Sequence, residues 1–191
     1  MRGRDKFSKF KPIINLMVKI ISILPHKMRI KKFYRLRYKK GVLGILRRYI
    51  YLKSLSPECG DNVAVHEGVF LLSPHKISFG DNVSIHPMCY IDATGKITIG
   101  NDVSIAHGTT IMSSTHTYND RDIPIKDQKV ILKETNISDN IWIGAKATII
   151  AGVNIHRGCV IGAGGVVAKD CEENSVYVGV PARKIKSRTE G

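Results

Sequence analysis

The sequence predicts a mainly β repeat fold, with short strands wound into stacked coils, a basic helical segment in front of them and one protruding loop. Three observations carry that prediction. Between Asn136 and Asp170 an isoleucine or valine returns every sixth residue (Ile137, Ile143, Ile149, Ile155, Ile161, Val167), and a second apolar or small row (Ile141, Ala147, Val153, Cys159, Gly165) keeps the same period. An amphipathic helix repeats at about 3.6 residues and a half-buried strand at about 2, so a six-residue return belongs to a repeat architecture. Gly144, Gly152, Gly158, Gly162 and Gly164 fall between the rows, where a coil must turn. A polar stretch, Ser113 to Thr135, drops the period, which resumes at Ile137.

At 191 residues the chain has room for one repeat domain and an appendage. The reading divides it into a helical segment at 1–55, the repeat domain at 56–186 with its excursion at 113–135, and a tail at 187–191. The formal net charge of +14 is unevenly placed: seventeen of the 30 Lys and Arg lie in residues 1–53 beside the single acid Asp5, and the remainder is slightly acidic. The basicity therefore belongs to the appendage.

Within it, Phe7, Phe10, Ile14, Met17, Ile21 and Leu24 recur at steps of three and four, the spacing of one apolar helix stripe. Pro12 and Pro25 bound the firm part of that helix at 12–24. A second pattern, Val42, Ile45, Tyr49 and Leu52, shares a face, with the basic cluster Lys27 to Lys40 before it. Two readings stand together: the helices cap the open end of the repeat, or they lie in a membrane interface with the cations drawn to anionic headgroups. The longest apolar run, Ile13 to Leu24, contains Lys19 and is shorter than the ~20 residues a membrane span needs. No cleavage site of a signal peptide follows it. Nucleic acid is not an expected partner, since the repeat part adds neither a basic groove nor aromatic stacking residues.

From Cys59 the rhythm begins loosely. Val65, Leu71, Ile77, Val83 and Cys89 make one row, Ile85, Ile91, Ile97, Val103 and Thr109 another, and Ile99, Ile105 and Ile111 a third. The phase drifts between them, which implies insertions at corners. Gly60-Asp61-Asn62, Gly80-Asp81-Asn82 and Gly100-Asn101-Asp102 mark successive corners twenty residues apart. Without the excursion, Cys59 to Asp170 accommodates about five coils. The four cysteines show no CxxC spacing, and Cys89 and Cys159 are in phase with the inward rows, so buried thiols in a reducing compartment are expected.

The segments STHTYND, PIKDQ, NIWIGAKATIIAGV, VIGAGGVVAKD and VGVPARKIK, set in this repeat, resemble the hexapeptide-repeat acyltransferases, in the branch of maltose, galactoside and surface-polysaccharide O-acetyltransferases. The resemblance covers about Cys59 to Lys186. It implies a left-handed parallel β-helix of triangular section, acetyl-CoA as the acyl donor, no metal, and a homotrimer with sites at subunit boundaries. It places His116 on the catalytic histidine. A sugar hydroxyl needs a base in the transition state, and an imidazole suits that task near neutral pH. The backbone N–H of Ala145, after Gly144, is implied as the oxyanion donor.

For coenzyme A the resemblance implies contacts at Gly144, Ala145 and Ala163, with Ala168, Lys169, Arg183 and Lys186 toward the phosphates. Lys186 departs from the arginine that related enzymes often carry. Trp142 alternates with Ile141 and Ile143 and should face outward, either against a neighbouring subunit or as a wall of the acyl-CoA groove. Asp92 and Tyr90 fall near the acceptor region, and Tyr118 and Asn119 either touch the acceptor or steady His116. His26, His66, His75, His86, His107 and His156 are read as structural or exposed. The zinc-dependent enzymes of this fold need a close His-x4-His pair, which this chain lacks.

The implied function is transfer of acetyl from acetyl-CoA to a hydroxyl of a cell-surface polysaccharide or its lipid-linked precursor, at the inner face of the cell membrane in the cytoplasm. A soluble sugar, sugar nucleotide or antibiotic is the alternative acceptor, through oxygen or nitrogen. A non-catalytic β-helix scaffold is the alternative from another class.

Overall fold

Short strands of two or three residues follow from the six-residue period: each buries one or two aliphatic side chains and then turns. The computed structural model describes residues 3–188, and the last three residues of the 187–191 tail lie outside them. The strands stack as three parallel faces of a prism. The first face carries Ala64–Val65, Ser84–Ile85, Ser104–Ile105, Trp142–Ile143, Val160–Ile161 and Ser175–Gly179, closed by the antiparallel Ala182–Ser187. The second is five-stranded, from Phe70–Leu72 to Val166–Val167, and the third four-stranded, from Ile77–Phe79 to Asn154–Ile155. Bridges Cys59 to Phe79 and Ile155 to Cys171 extend the third face at both ends.

The inward rows form one continuous core, with Ile85, Ile105, Ile111, Ile143, Ile149, Ile155 and Ile161 fully buried. All four cysteines are free thiols, and Cys89, Cys159 and Cys171 are buried. Burial pushes the Cys171 thiol up to about 12, which leaves it a packing residue.

The drift in the early rows comes from one corner. Between the second and third faces Ile91 leads to Ile97, six residues on, whereas in the later coils Ile149 leads to Val153, only four on. The first coils therefore pair residues twenty apart and the later ones eighteen apart. The Gly-Asp-Asn corners join the third face to the first. Their third residues, Asn62, Asn82 and Asp102, sit at φ near +58°, a conformation Asn and Asp tolerate better than most. Successive corners are laced together, as Asp61 N–H donates to Asp81 Oδ1, Asp81 N–H to Asn101 Oδ1 and Asn101 N–H to Asp139 Oδ1.

Three helices close the N-terminal end: α1 (Gly3–Ser22), α2 (His26–Arg35) and α3 (Gly41–Leu55). Helix α1 begins nine residues before Pro12 and passes through it, in contrast to the predicted start. Pro12 lies on the exposed side, where it costs one ladder hydrogen bond. The first part of the basic cluster, through Arg35, forms α2. The layer is pinned to the first coil by buried polar groups. Tyr34 Oη donates to Leu71 O at 2.9 Å and Tyr49 Oη to Gly60 O at 2.9 Å. Arg48, 1% exposed, donates to Val65 O at 2.7 Å, Leu36 O at 2.9 Å and Lys39 O at 2.6 Å. One side chain thus gathers the chain leaving α2 onto the first strand of the prism. Capping of the open end is the observed role of these helices.

Candidate active site

The excursion leaves the prism at the corner between the second and third faces. Asp92 pairs with Met112, so Ser113 occupies in its coil the place that Ala93 holds one coil earlier, and both are fully buried. The chain then runs out as a two-stranded hairpin, Ser114–His116 against Val130–Leu132, with His116 opposite Val130. Its root is clamped by hydrogen bonds. Ser113 Oγ donates to Asp92 O and accepts from Gly95 N–H, and Ser114 Oγ donates to Asp92 Oδ2 at 2.7 Å. Thr135 Oγ1 donates to Met112 O at 2.7 Å and accepts from Gly152 N–H at 3.0 Å, which joins the outgoing and returning ends to the next coil. Gln128, nearly buried, orders the tip by donating to Asp120 O and Ile123 O.

A cleft of about 430 Å3 opens beside this hairpin, lined by His116, Tyr118, Asn119, Lys133, Ile150 and Ala151 among others. The imidazole of His116 is exposed at the cleft, and among the described residues its ring makes no hydrogen bond. Ile150 and Ala151 form the wall contributed by the next coil. Because Ile149 pairs with Val167, Ala168 and Lys169 follow one coil further along the same edge.

Asp92 and Tyr90 do not line the cleft. Asp92 sits beneath the hairpin, with one oxygen on Ser114 and the other accepting from Thr94 N–H and Oγ1. Burial opposes its ionisation, but the bonds from Thr94 and Ser114 outweigh it and hold the carboxyl below the usual carboxylate range. Its observed part is to fix the root of the loop that carries His116. Tyr90 stands in the outward row of the second face, stacked on Phe70 at 5.3 Å.

The residues implied for coenzyme A fall elsewhere. Trp142 is 55% exposed on the first face, as its alternation predicts. Gly144, Ala145 and Ala163 lie at the corner between the first and second faces, separated from the His116 edge by the strand Thr148–Ile149. The two coils approach closely there: a Cβ on Gly144 would stand 2.5 Å from Ala163 N. Gly144 N–H donates to Ile161 O and Gly164 N–H to Ala145 O, whereas among the described residues nothing accepts the N–H of Ala145 or Ala163. Arg183 and Lys186 are exposed on the C-terminal hairpin at the edge of the first face. Within one chain, then, His116, Tyr118 and Asn119 come together, Ala168 and Lys169 lie along their edge, and Trp142, Gly144, Ala145, Ala163, Arg183 and Lys186 form a second group.

Sequence reasoning missed the clamp. Ser113, Ser114, Thr135 and Gln128 position the loop, and Lys133 supplies a cation to the cleft. A signal was available for two of them. Ser113 and Thr135 are polar residues at inward positions, Thr135 pairing with Ile97 in a row otherwise filled by isoleucine and valine. Among the described residues no group of three His, Cys, Asp or Glu side chains is placed to hold a metal ion.

No family model matches the sequence. A Mycobacterium tuberculosis protein assigned by name to the acetyltransferases is 40% identical over 73 residues, 38% of this chain and 24% of that protein. The matched segments span about a quarter of the length of the curated relatives. A maltose O-acetyltransferase structure from Clostridium difficile 630 superposes with a TM-score of 0.71 at 30% identity, over 82% of this chain and 83% of the other. A galactoside acetyltransferase solved in complex with coenzyme A covers 98% of this chain and 91% of its own, with a TM-score of 0.72 at 23% identity. That likeness is one of fold, and it spans nearly the whole chain.

Proposed function

This chain belongs to the hexapeptide-repeat acetyltransferases, and we propose that it moves an acetyl group from acetyl-CoA to a hydroxyl of a cell-surface polysaccharide or its lipid-linked precursor. The observation that carries the reading is the placement of His116: an exposed imidazole on a clamped hairpin at the mouth of a cleft large enough for a sugar. His116 takes the proton of the acceptor hydroxyl as that oxygen attacks the thioester carbonyl. The tetrahedral oxyanion is held by the N–H of Ala145. Collapse breaks the carbon–sulfur bond, and the leaving thiolate takes the proton from His116, so the base is restored without an acyl-enzyme.

Since His116 and Ala145 lie on different edges of one prism, the complete site in this reading forms between copies. A homotrimer places the His116 edge of one copy against the Trp142 and Ala145 side of the next, with the pantetheine arm between them. The exposed apolar residues Trp142, Val180 and Ile185 beside that second group support such packing. Ala168, Lys169, Arg183 and Lys186 meet the coenzyme phosphates in this arrangement, and Tyr118 and Asn119 the acceptor. The same reading puts the protein at the inner, cytoplasmic face of the cell membrane.

The test is acetyl transfer from acetyl-CoA to a panel of lipid-linked oligosaccharides and soluble sugars, with wild type beside His116→Ala. Loss of a general base should lower kcat by a factor of about 10² or more. Undiminished transfer by the variant would remove His116 from the chemistry. A preference for soluble acceptors would replace the lipid-linked precursor. Absence of both transfer and acetyl-CoA binding would leave only a scaffold.

A further inference from the structure

Helix α1 carries more apolar surface than the prism covers. Phe7, Ile14, Val18 and Ile21 turn toward the core, as part of the stripe read from the sequence requires. Phe10 and Met17, read into that same stripe, face solvent instead and join Ile13, Leu16 and Ile20 in a second, outward stripe, with Ile23 exposed just past the helix end. Ile13, Leu16 and Ile20 are each more than half exposed, and Ile23 is 83% exposed. Solvent gives five large apolar side chains on one helix face, with a sixth at the helix end, no reason to be there.

Next to this stripe is a groove of about 360 Å3 between the three helices. Its apolar lining is Ile21, Leu36 and Ile50, with Met17 at the border it shares with the stripe, and Lys32, Arg35 and Arg47 line it as well. Among the described residues none of these three cations has an acidic partner, and residues 1–53 contain a single acid against seventeen bases. Among the described residues no helix is long and apolar enough to cross a membrane.

We propose that the helical layer docks on an anionic phospholipid bilayer, with the outward stripe of α1 set into the headgroup boundary and the groove seating one lipid phosphate. An apolar face flanked by unpaired lysines and arginines suits such an interface, where hydrocarbon and anionic oxygen lie within one headgroup depth of each other. Arginine favours phosphate through paired N–H donors. The charge argues against a second copy as the occupant, because pairing this face with itself would bring two strongly cationic layers together. The inference deepens the lipid-linked acceptor reading and rests on that reading for the purpose of the contact, not for its existence. The hairpin leaves from the third strand of the second face, two strand spacings or about 10 Å along the axis from Phe70–Leu72. An acceptor anchored in the same bilayer therefore offers His116 its sugar units nearest the lipid.

The experiment is sedimentation of the full chain with vesicles of phosphatidylcholine mixed with phosphatidylglycerol, and with phosphatidylcholine alone. Binding is expected to the anionic vesicles and to weaken with salt. Leu16→Ser with Ile20→Ser, both exposed, should weaken it at least about tenfold. Lys32→Gln, Arg35→Gln and Arg47→Gln together should weaken it roughly a hundredfold, at about fivefold for each cation near the surface. Circular dichroism and sedimentation velocity without lipid should match wild type for both variants. His116→Ala should bind vesicles fully, and the triple cation variant should keep its transfer to soluble acceptors, so failure here is distinct from failure of the catalytic reading. Wild type that shows no preference for anionic vesicles overturns the proposal. So does undiminished binding by the Leu16, Ile20 variant, and so does a change in its assembly state without lipid, which would make the stripe a contact between copies.

Discussion

Thr135→Val isolates the clamp that holds the catalytic hairpin. The substitution keeps shape and volume at a fully buried position but removes the hydroxyl that donates to Met112 O at 2.7 Å and accepts from Gly152 N–H at 3.0 Å. Two partly buried backbone groups lose a partner, each at a cost of about 1–3 kcal/mol, so the fold should lose roughly 2–6 kcal/mol at most. Met112 lies two residues before Ser114, and Gly152 follows Ala151 in the opposite wall, so slack at this point alters the width of the cleft itself. A displacement on the order of 1 Å in a reacting group costs up to about a hundredfold in rate. Thr135→Val should therefore lower kcat roughly ten- to a hundredfold while leaving the KM for acetyl-CoA near wild type, since in the proposed site most coenzyme contacts lie on another edge and Ala168 and Lys169 sit one coil beyond the clamp. Thr135→Ser, which keeps the oxygen, should restore most of kcat and of the urea midpoint. Wild-type stability and wild-type kcat in the valine variant would refute the clamp, and a rise in KM for acetyl-CoA with kcat unchanged would place the effect elsewhere.

Two further predictions concern the cap. Arg48→Met removes four hydrogen bonds to backbone carbonyls, the one to Arg37 O long at 3.4 Å, and relieves the burial of a cation whose pKa burial pulls down, with Glu67 pulling back; a net loss of about 2–4 kcal/mol is expected. Limited proteolysis should then cut within residues 1–55 well before the prism. His66 stacks on His86 at 5.0 Å beneath the same layer, and burial, then His86, then Arg48 lower its pKa despite Glu67. A histidine lowered on folding binds its proton more readily in the unfolded chain, so its stabilising effect is complete above about pH 6.5 and declines as pH falls below that value. Thermal midpoints measured from pH 8 to pH 5 should fall in wild type and fall less in His66→Gln.

The interior was legible because burial in this fold imposes a period. Every residue of the strict rows, from Ile137 through Val167, faces inward, and the drift before them is the two extra residues between Ile91 and Ile97. The helical layer was less legible for a physical reason. Helix α1 is apolar on two adjoining faces, so spacing alone cannot tell Val18, which packs inward, from Phe10 and Met17, which do not. The site is written in departures from the period. The rhythm stops at Ser113 and so marks the loop, the resemblance of STHTYND assigned His116 within it, and Thr135 was legible as a threonine in an aliphatic row. What spacing cannot supply is partnership between coils. Ser114 reaches Asp92, twenty-two positions earlier, and Thr135 reaches Met112, twenty-three earlier, across a gap set by corner lengths that no local pattern reveals. The separation of His116 from Ala145 has the same origin: their distance along the chain says nothing about which edge of the prism each occupies. A repeat keeps its interior uniform, so the residues that break the repeat at an inward position are where its sequence spends polar groups to hold a loop still.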